Sequence, residues 1–530
     1  MRHINDSREG IDNQVNGLYY DDQGGLWAAQ SRGIARIEYP SPLTSFDFSN
    51  GLRGIVYATL KDGNDLWVGT NYGLFHADAN SAETFITVPE FSEAWCIRKI
   101  DGKLWVADKH GLYVSDGSKF RRLLSISCNE IQPSTRFPGK VFVGALNGII
   151  VMDKFNGEWK QTGMLEIPKE SVTNLAEDDS GNLWATYWMG ITRFTFHNGF
   201  SFTPDVYTFG AKDGLRADSM QTIEVYHVQS RILFGSFRGL YYFDEKQKRI
   251  KSFRDFGEQF GNRSREAFEL TEDSKGNIWL GSETVNGKLI KQDGHYVWDT
   301  TELMRMPRLS TWSIFVDDKD VVWIGTEDGL FRYDPSITRT YLSGVTARIR
   351  KVATKDSTIF YGSYFDSTFN TAFTQPAALR LSLPYRKNDM SFDCAAPMFD
   401  SRGRIEYSYR LEGLHTDWSP WSYDPHKEFT NLREGDYIFH VKARDVYGHQ
   451  SREAAYAFSI APPWHRTWWA FLIYLVLLII GIRAIIELNQ RRLIDDKKRL
   501  AKKVLERTEV ITNQKKIIEE QMQKVEKKVS

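Results

Sequence analysis

Trp95, in "EAWCIRK", and Trp312, in "STWSIF", are the residues of this 530-residue chain best suited to hold a ligand. Each lies ten or eleven residues ahead of a recurring aromatic (Trp105 and Trp323), yet neither belongs to the recurring position itself. An indole offers a flat, apolar face on which a sugar ring can stack. Tyr72, His110, Trp188, Arg238 and Asp328 form a second set. They fall among the variable residues between the recurring aromatic and the following "GL" or its equivalent. Arg238 and His110 would add polar contacts to the stacking faces. The competing reading is that the aromatics plug a channel or pack on neighbours. Tyr72, Trp95, His110, Trp188, Arg238 and Trp312 are the candidate ligand-binding residues, with a glycan or another small molecule as the ligand.

Other chemistries find no foothold. Cys96, Cys128 and Cys394 have neither metal nor redox spacing, and an odd number argues against a disulfide framework. The 11 histidines are scattered, and His110, His197 and His227 read most simply as surface or turn residues. No Gly-rich nucleotide loop, zinc signature or phospho-acceptor histidine motif is present. No pair of carboxylates can be assigned to a pocket from sequence. No catalytic residue, metal or cofactor is expected. The Asp-rich turns "DDQGG", "EDDSGN" and "EDSKGN" lack the ligand spacing and closing Glu of a calcium loop, so they read as turn chemistry. Lys plus Arg and Asp plus Glu both total 68, so nothing argues for direct nucleic-acid binding.

The elements that must carry the candidate residues recur. Trp27, Trp67, Trp105, Phe142, Trp184, Phe234, Trp279 and Trp323 each precede a small residue, at intervals of 37 to 45 residues with one of 50. Around each aromatic the grammar is similar: an alternating apolar run, an Asp/Gly/Asn turn, the aromatic strand, a short turn and another strand opening on "GL" or "GI". A less regular fourth strand fills the remaining gap. Four short antiparallel strands per 40–45 residues predict a β-propeller blade. Eight copies predict eight blades, or seven if an end copy is shared in the closing blade or is degenerate. The mouth of such a ring collects the turns after the second strand and the starts of the innermost strands, which is where both candidate sets fall.

The pattern D-x-x-G-x-LW-x-GT-x-x-GL resembles the two-component regulator propeller repeats of bacterial hybrid sensors, particularly those of Bacteroidota, and it covers residues 12–335. Such sensors often carry two consecutive propellers, whereas this chain has room for one. Residues 1–340 are expected to be the propeller and 341–462 a β-sandwich with its connecting strands. Alternation in "IEYSYRLEG", "DYIFHVKARD" and "AYAFSIAPPW" predicts about seven strands. The stretch resembles the triple-tyrosine domain of the same sensors, with Tyr409, Tyr437 and Tyr447 at the matching positions. Core packing with a bonded hydroxyl is the simplest role for these tyrosines.

Residues 463–486 read as one transmembrane helix. The 19 residues from Trp468 to Ile486 span roughly 28 Å, with Arg483 able to snorkel. Trp464, Trp468 and Trp469 form an aromatic belt at one end. Arg491, Arg492, Lys497, Lys498 and Arg499 follow the other, which places that end in the cytoplasm and the propeller and sandwich in the periplasm of a Gram-negative cell. The opening "MRHINDSREGIDNQV" lacks the apolar segment of an export signal, so a segment ahead of it is expected. Residues 487–530 repeat Val504, Ile511, Ile518 and Val525 at seven-residue spacing, with the weaker companion column Leu500, Arg507, Gln514 and Gln521. This predicts a marginal parallel coiled coil and hence a homodimer. The resemblance implies the sensing part of an inner-membrane receptor that relays ligand binding to an output domain absent from this chain. The alternative is a membrane-anchored propeller scaffold for partner proteins.

Overall fold

The computed structural model describes residues 14–21, 24–80, 84–116, 119–188, 190–215, 223–262, 264–338, 347–365, 371–372, 375–376, 379–399 and 404–529. The chain divides into two compact units, Met1–Leu342 and Ser343–Ser530.

Among the described residues, the first unit forms a ring of seven blades. Their innermost strands are Val56–Asp62, Ala94–Ile100, Cys128–Pro133, the last part of Glu158–Glu177, Glu224–Val228, Glu269–Glu272 and Thr311–Val316. Each neighbours the next, and the last returns to the first. We number the blades I to VII in that order. Residues 128–209 form one six-stranded sheet holding blades III and IV, because Lys140–Phe155 and Glu158–Glu177 each serve two strand positions. The outer strand of blade VII is Leu43–Phe46, which pairs with Gly329–Tyr333, so the two ends of the ring are stitched together.

Seven of the eight motif copies therefore build the ring. The copy around Trp27 stands outside it as a three-stranded sheet, Val15–Tyr20, Gly25–Gln30 and Gly33–Glu38. The physical reason is plain. The strand that would complete this copy, Leu43–Phe46, is used to close blade VII, and Val15–Tyr20 is exposed along its whole length. Arg305 ties the sheet to the ring through Glu38, at 2.7 Å.

The repeated residues have distinct jobs. The turn Asp accepts a hydrogen bond from the Trp indole six residues later, in the pairs Asp21–Trp27 (2.7 Å), Asp178–Trp184 (3.0 Å) and Asp273–Trp279 (3.2 Å). Its other carboxylate oxygen accepts the backbone N–H four residues on, at Gly25, Asn182 and Asn277. One side chain thus closes the turn and fixes the rotamer of the core aromatic. Trp105, Trp184 and Trp323 are at most 2% exposed. The Gly two residues after the aromatic serves close approach: a Cβ on Gly69 would lie 2.6 Å from the Ala94 carbonyl of the next blade's inner strand. The Gly opening the third strand serves conformation, with φ of 111° at Gly73 and 128° at Gly329.

The second unit opens with a β-sandwich. One sheet runs in the order Ser357–Tyr361, Arg348–Thr354, Met390–Ala395, His426–Phe429. The other runs Leu381–Leu383, Ala454–Ile460, Gly435–Arg444, Glu406–Glu412. Phe392 and Phe439 stack between the sheets with ring centroids 3.9 Å apart. Tyr409 and Tyr437 are core residues whose hydroxyls donate to the carbonyls of Asp424 and, at 3.0 Å, Arg433. Tyr447 is half-buried, 5.9 Å from the His449 ring.

A single helix, Trp468–Val529, follows without a break. It is apolar enough at its start to cross a membrane, and nearly all of it is exposed. Arg466 ties the approach to this helix to Glu434 of the sandwich at 2.7 Å, and Ala470 is buried.

Candidate functional site: the propeller mouth and channel

The turns after the second strand and the starts of the inner strands meet on one face. Phe237 of the blade V turn lies 4.4 Å from Phe268, just ahead of the blade VI inner strand. Asp108 accepts the N–H groups of Ser92 and Glu93, each at 3.1 Å, and Asn71 accepts that of Ile55 at 2.8 Å. The turns have a common local cause. A Thr, Ser or Asp at the strand end accepts the N–H two residues on, as Thr70 does from Tyr72, Asp108 from His110 and Ser236 from Arg238.

The structure separates the two candidate sets. Trp95 and Trp312 line a central channel of about 560 Å³, joined by Tyr57. Tyr72, His110, Trp188 and Arg238 stand exposed on the turns and form no part of the channel wall. Tyr57, Trp95 and Trp312 share an origin. Each is the extra residue of a β-bulge in its inner strand, and bulges re-aim side chains. The Tyr57 and Trp312 rings meet edge to face at 5.8 Å, and Trp95 is on the next blade. Trp312 is 44% exposed, so an indole face is accessible from the mouth.

Below the aromatics, the inner-strand residue opposite the small residue of each second strand forms a ring. Three members are carboxylates: Glu130 opposite Gly144, Glu224 opposite Gly235 and Glu269 opposite Gly281. The other four are small or neutral: Ala58, Cys96, Asn174 and Ser313. Among the described residues of the channel wall, Arg98 is the cation that answers them. Arg98 Nη2 donates to Glu130 Oε1 at 2.7 Å, and the Cys96 thiol donates to the same oxygen at 3.3 Å. The Arg98 side chain lines the channel and is 45% exposed.

The field inside the channel holds protons. Burial, then the charge of Glu130, pushes Glu224 up to about 8, against hydrogen bonds from Thr186, Asn174 and Thr173. Glu269 is raised well above the carboxylate range by burial and by Glu224 and Glu130. Tyr226, whose hydroxyl bonds the Phe268 carbonyl, is raised by burial and by Glu269 and Glu224. Burial also raises Cys96 strongly, so its thiol is not a nucleophile at neutral pH.

Sequence reasoning missed this acidic layer. The spacing rule that found Trp95 and Trp312 also points to Tyr57, Asn174, Glu224 and Glu269, each ten residues ahead of its motif aromatic. Reading the rule for aromatics alone hid the carboxylates.

Comparison with known proteins now places the chain. Residues 399–461 match the Y_Y_Y domain family. The extracellular domain of a putative hybrid two-component system, BT3049, from B. thetaiotaomicron shares the fold, with a TM-score of 0.61 and 17% identity over 85% of this chain and 62% of that one. The corresponding domain of BT4673 from the same organism gives 0.47 and 19%, covering 87% and 65%. Histidine kinase P4 of Formosa agariphila is 24% identical over 214 residues, 39% of this chain and 15% of the kinase. The chain therefore spans less than two thirds of these relatives. Its class is a β-propeller followed by a Y_Y_Y sandwich and one apolar helix. Its propeller and sandwich are similar in fold to the BT3049 extracellular domain, and its sandwich carries the Y_Y_Y match.

Proposed function

We propose that the chain is the extracytoplasmic sensing and membrane-spanning part of a bacterial signalling receptor. A ligand in the propeller mouth, held on Trp95, Trp312 and Tyr57 and rimmed by Tyr72, His110, Trp188 and Arg238, favours one arrangement of a dimer over another. Only such a difference in affinity can drive a signal. The Y_Y_Y sandwich and helix pass the change through the inner membrane to a cytoplasmic output domain. The observation that carries this reading is the helix itself. It runs from Trp468 to Val529 uninterrupted, tied at its start to the sandwich through Arg466 and Glu434. A rigid, continuous rod of this kind transmits rotation or sliding. Its column Val504, Ile511, Ile518 and Val525 is exposed and supplies the dimer seam.

The reading is tested with the full chain in membrane vesicles. Ile511→Cys should cross-link between two copies far faster than Lys516→Cys on the opposite face, and a mouth ligand should change that rate. Equal cross-linking at both positions would remove the relay.

A second reading, a membrane-anchored scaffold, draws on the exposed strand Val15–Tyr20, an open edge that a partner protein's strand could extend. In that case cross-linking at Ile511 would respond to a partner protein and to no small molecule.

A further inference from the structure

The mouth and channel together specify the chemistry of the ligand. We infer that the channel takes an organic cation: an ammonium group that passes the rings of Tyr57, Trp95 and Trp312 and settles among Glu130, Glu224 and Glu269. This rests on the reading of the mouth as the sensing site and names what that site selects.

Four observations carry it. First, the charges do not balance. Three carboxylates face one guanidinium, and Arg98 is already committed to Glu130 at 2.7 Å. Among the described residues, the other groups near the cluster offer no second cation. From blade IV, Glu177 is consumed by the Ser134 hydroxyl at 2.7 Å and the Thr135 N–H at 2.6 Å. From blade V, Tyr226 is neutral and His227 is turned to Asp179 at 3.0 Å. From blade II, Cys96 is neutral, and blades I and VII contribute Tyr57 and Ser313. At the mouth, Glu93 adds a further negative charge, paired with Lys109 at 2.9 Å.

Second, three aromatic rings on the consecutive blades VII, I and II guard the route to the acids, and ring faces attract organic cations. Third, the carboxylates do not converge on a metal: among the described residues no three His, Cys, Asp or Glu groups could hold a metal ion. A bulkier ion suits the space, which is about 560 Å³. Fourth, Thr59, on the channel wall, is 6% exposed and its hydroxyl has no hydrogen-bond partner. An ammonium N–H can supply one.

Before a ligand cation binds, Glu224 and Glu269 keep their protons. Binding of a permanent cation expels them, so affinity rises with pH. An ammonium group could come from an amino sugar or from a free amine, and the experiment separates the two. Glucosamine, N-acetylglucosamine, putrescine and choline are titrated calorimetrically into the full chain in nanodiscs. Glucosamine or putrescine should bind while N-acetylglucosamine does not; which of the two is tighter identifies the source. Choline, which has no proton to lose, should bind at least tenfold more tightly at pH 8.5 than at pH 6. Glu269→Gln and Glu224→Gln should each weaken binding about tenfold and flatten that pH dependence. The choline pH series needs no variant, so a misfolded mutant does not decide the question. If N-acetylglucosamine binds as well as glucosamine, and its binding falls with Trp312→Ala but not with Glu269→Gln, the mouth stands and the cation inference fails. If none of the four probes binds at millimolar concentration, the inference fails as well.

Discussion

Arg98 Nη2 lies 2.7 Å from Glu130 Oε1 inside the propeller channel, and this is the ion pair that answers a layer of three carboxylates. The layer exists because the inner strands of blades III, V and VI place Glu at the same register, opposite a glycine of the neighbouring strand. One guanidinium cannot neutralise three acids. The excess is held as bound protons, which makes the ring sensitive to pH.

Glu224 sets the first prediction. A Glu in the unfolded chain ionises near 4.5, whereas in the ring it does so at about 8. Its folded value is raised, so its contribution to stability is fully present below 4.5 and is lost as pH rises through about 8. The melting temperature of the propeller should fall between pH 5 and pH 8.5. Glu224→Gln should flatten that slope and leave the variant more stable than the wild type at pH 8.5. A slope unchanged by the substitution would place the titrating group elsewhere.

The Asp–Trp brace gives a second. Asp178 satisfies the indole of the buried Trp184 at 3.0 Å and caps its own turn through Asn182 N–H at 2.9 Å. Asp178→Ala leaves a buried donor without its acceptor, at a cost of about 1–3 kcal/mol. Urea denaturation should show this as a lower midpoint with an unchanged slope. The loss should be smaller for Asp178→Asn, whose amide oxygen still accepts.

In the sandwich, "WSPWS" at 418–422 lays two indoles over a row of cations. Arg444 lies 4.5 Å from the Trp421 ring, Lys442 5.2 Å from Trp421 and 4.5 Å from Trp418, and Arg410 5.0 Å from Trp418. The same segment covers the edge of strand Glu406–Glu412, since Tyr407 and Ser422 exchange backbone hydrogen bonds at 2.7 and 3.0 Å. Trp421→Ala removes two rungs of the ladder at about 0.5–1 kcal/mol each, plus the buried ring area. It should also expose a strand edge, so the variant should aggregate on heating more readily than Lys442→Met.

Much of this architecture was legible in the sequence. The Trp279 and Trp323 copies follow one grammar, and that grammar has a physical source in the turn Asp, the indole and the two glycines. The number of blades was less legible. The Trp27 copy keeps the local grammar, down to its Asp21 brace, and nothing local shows that Leu43–Phe46 pairs with Gly329–Tyr333 nearly 290 residues away. Ring closure is a long-range event with no local signature. The mouth was legible in part. Trp95 and Trp312 stood out because aromatics are conspicuous, while Glu130, Glu224 and Glu269 did not, because a Glu in an alternating strand reads as solvent-facing. Only closure of the ring turns that face inward.

The sensing role makes the sharpest demand on the mouth. The direct measurement is a thermal-shift screen of the full chain in nanodiscs against glycan fragments, amines and peptides, repeated with Trp95→Ala and Trp312→Ala. A ligand at about 100 times its dissociation constant should add roughly 2.7 kcal/mol to propeller stability. The account predicts at least one ligand with such a shift, lost in both variants. A shift that survives both substitutions, or a folded protein stabilised by no small ligand but by a partner protein, would contradict it.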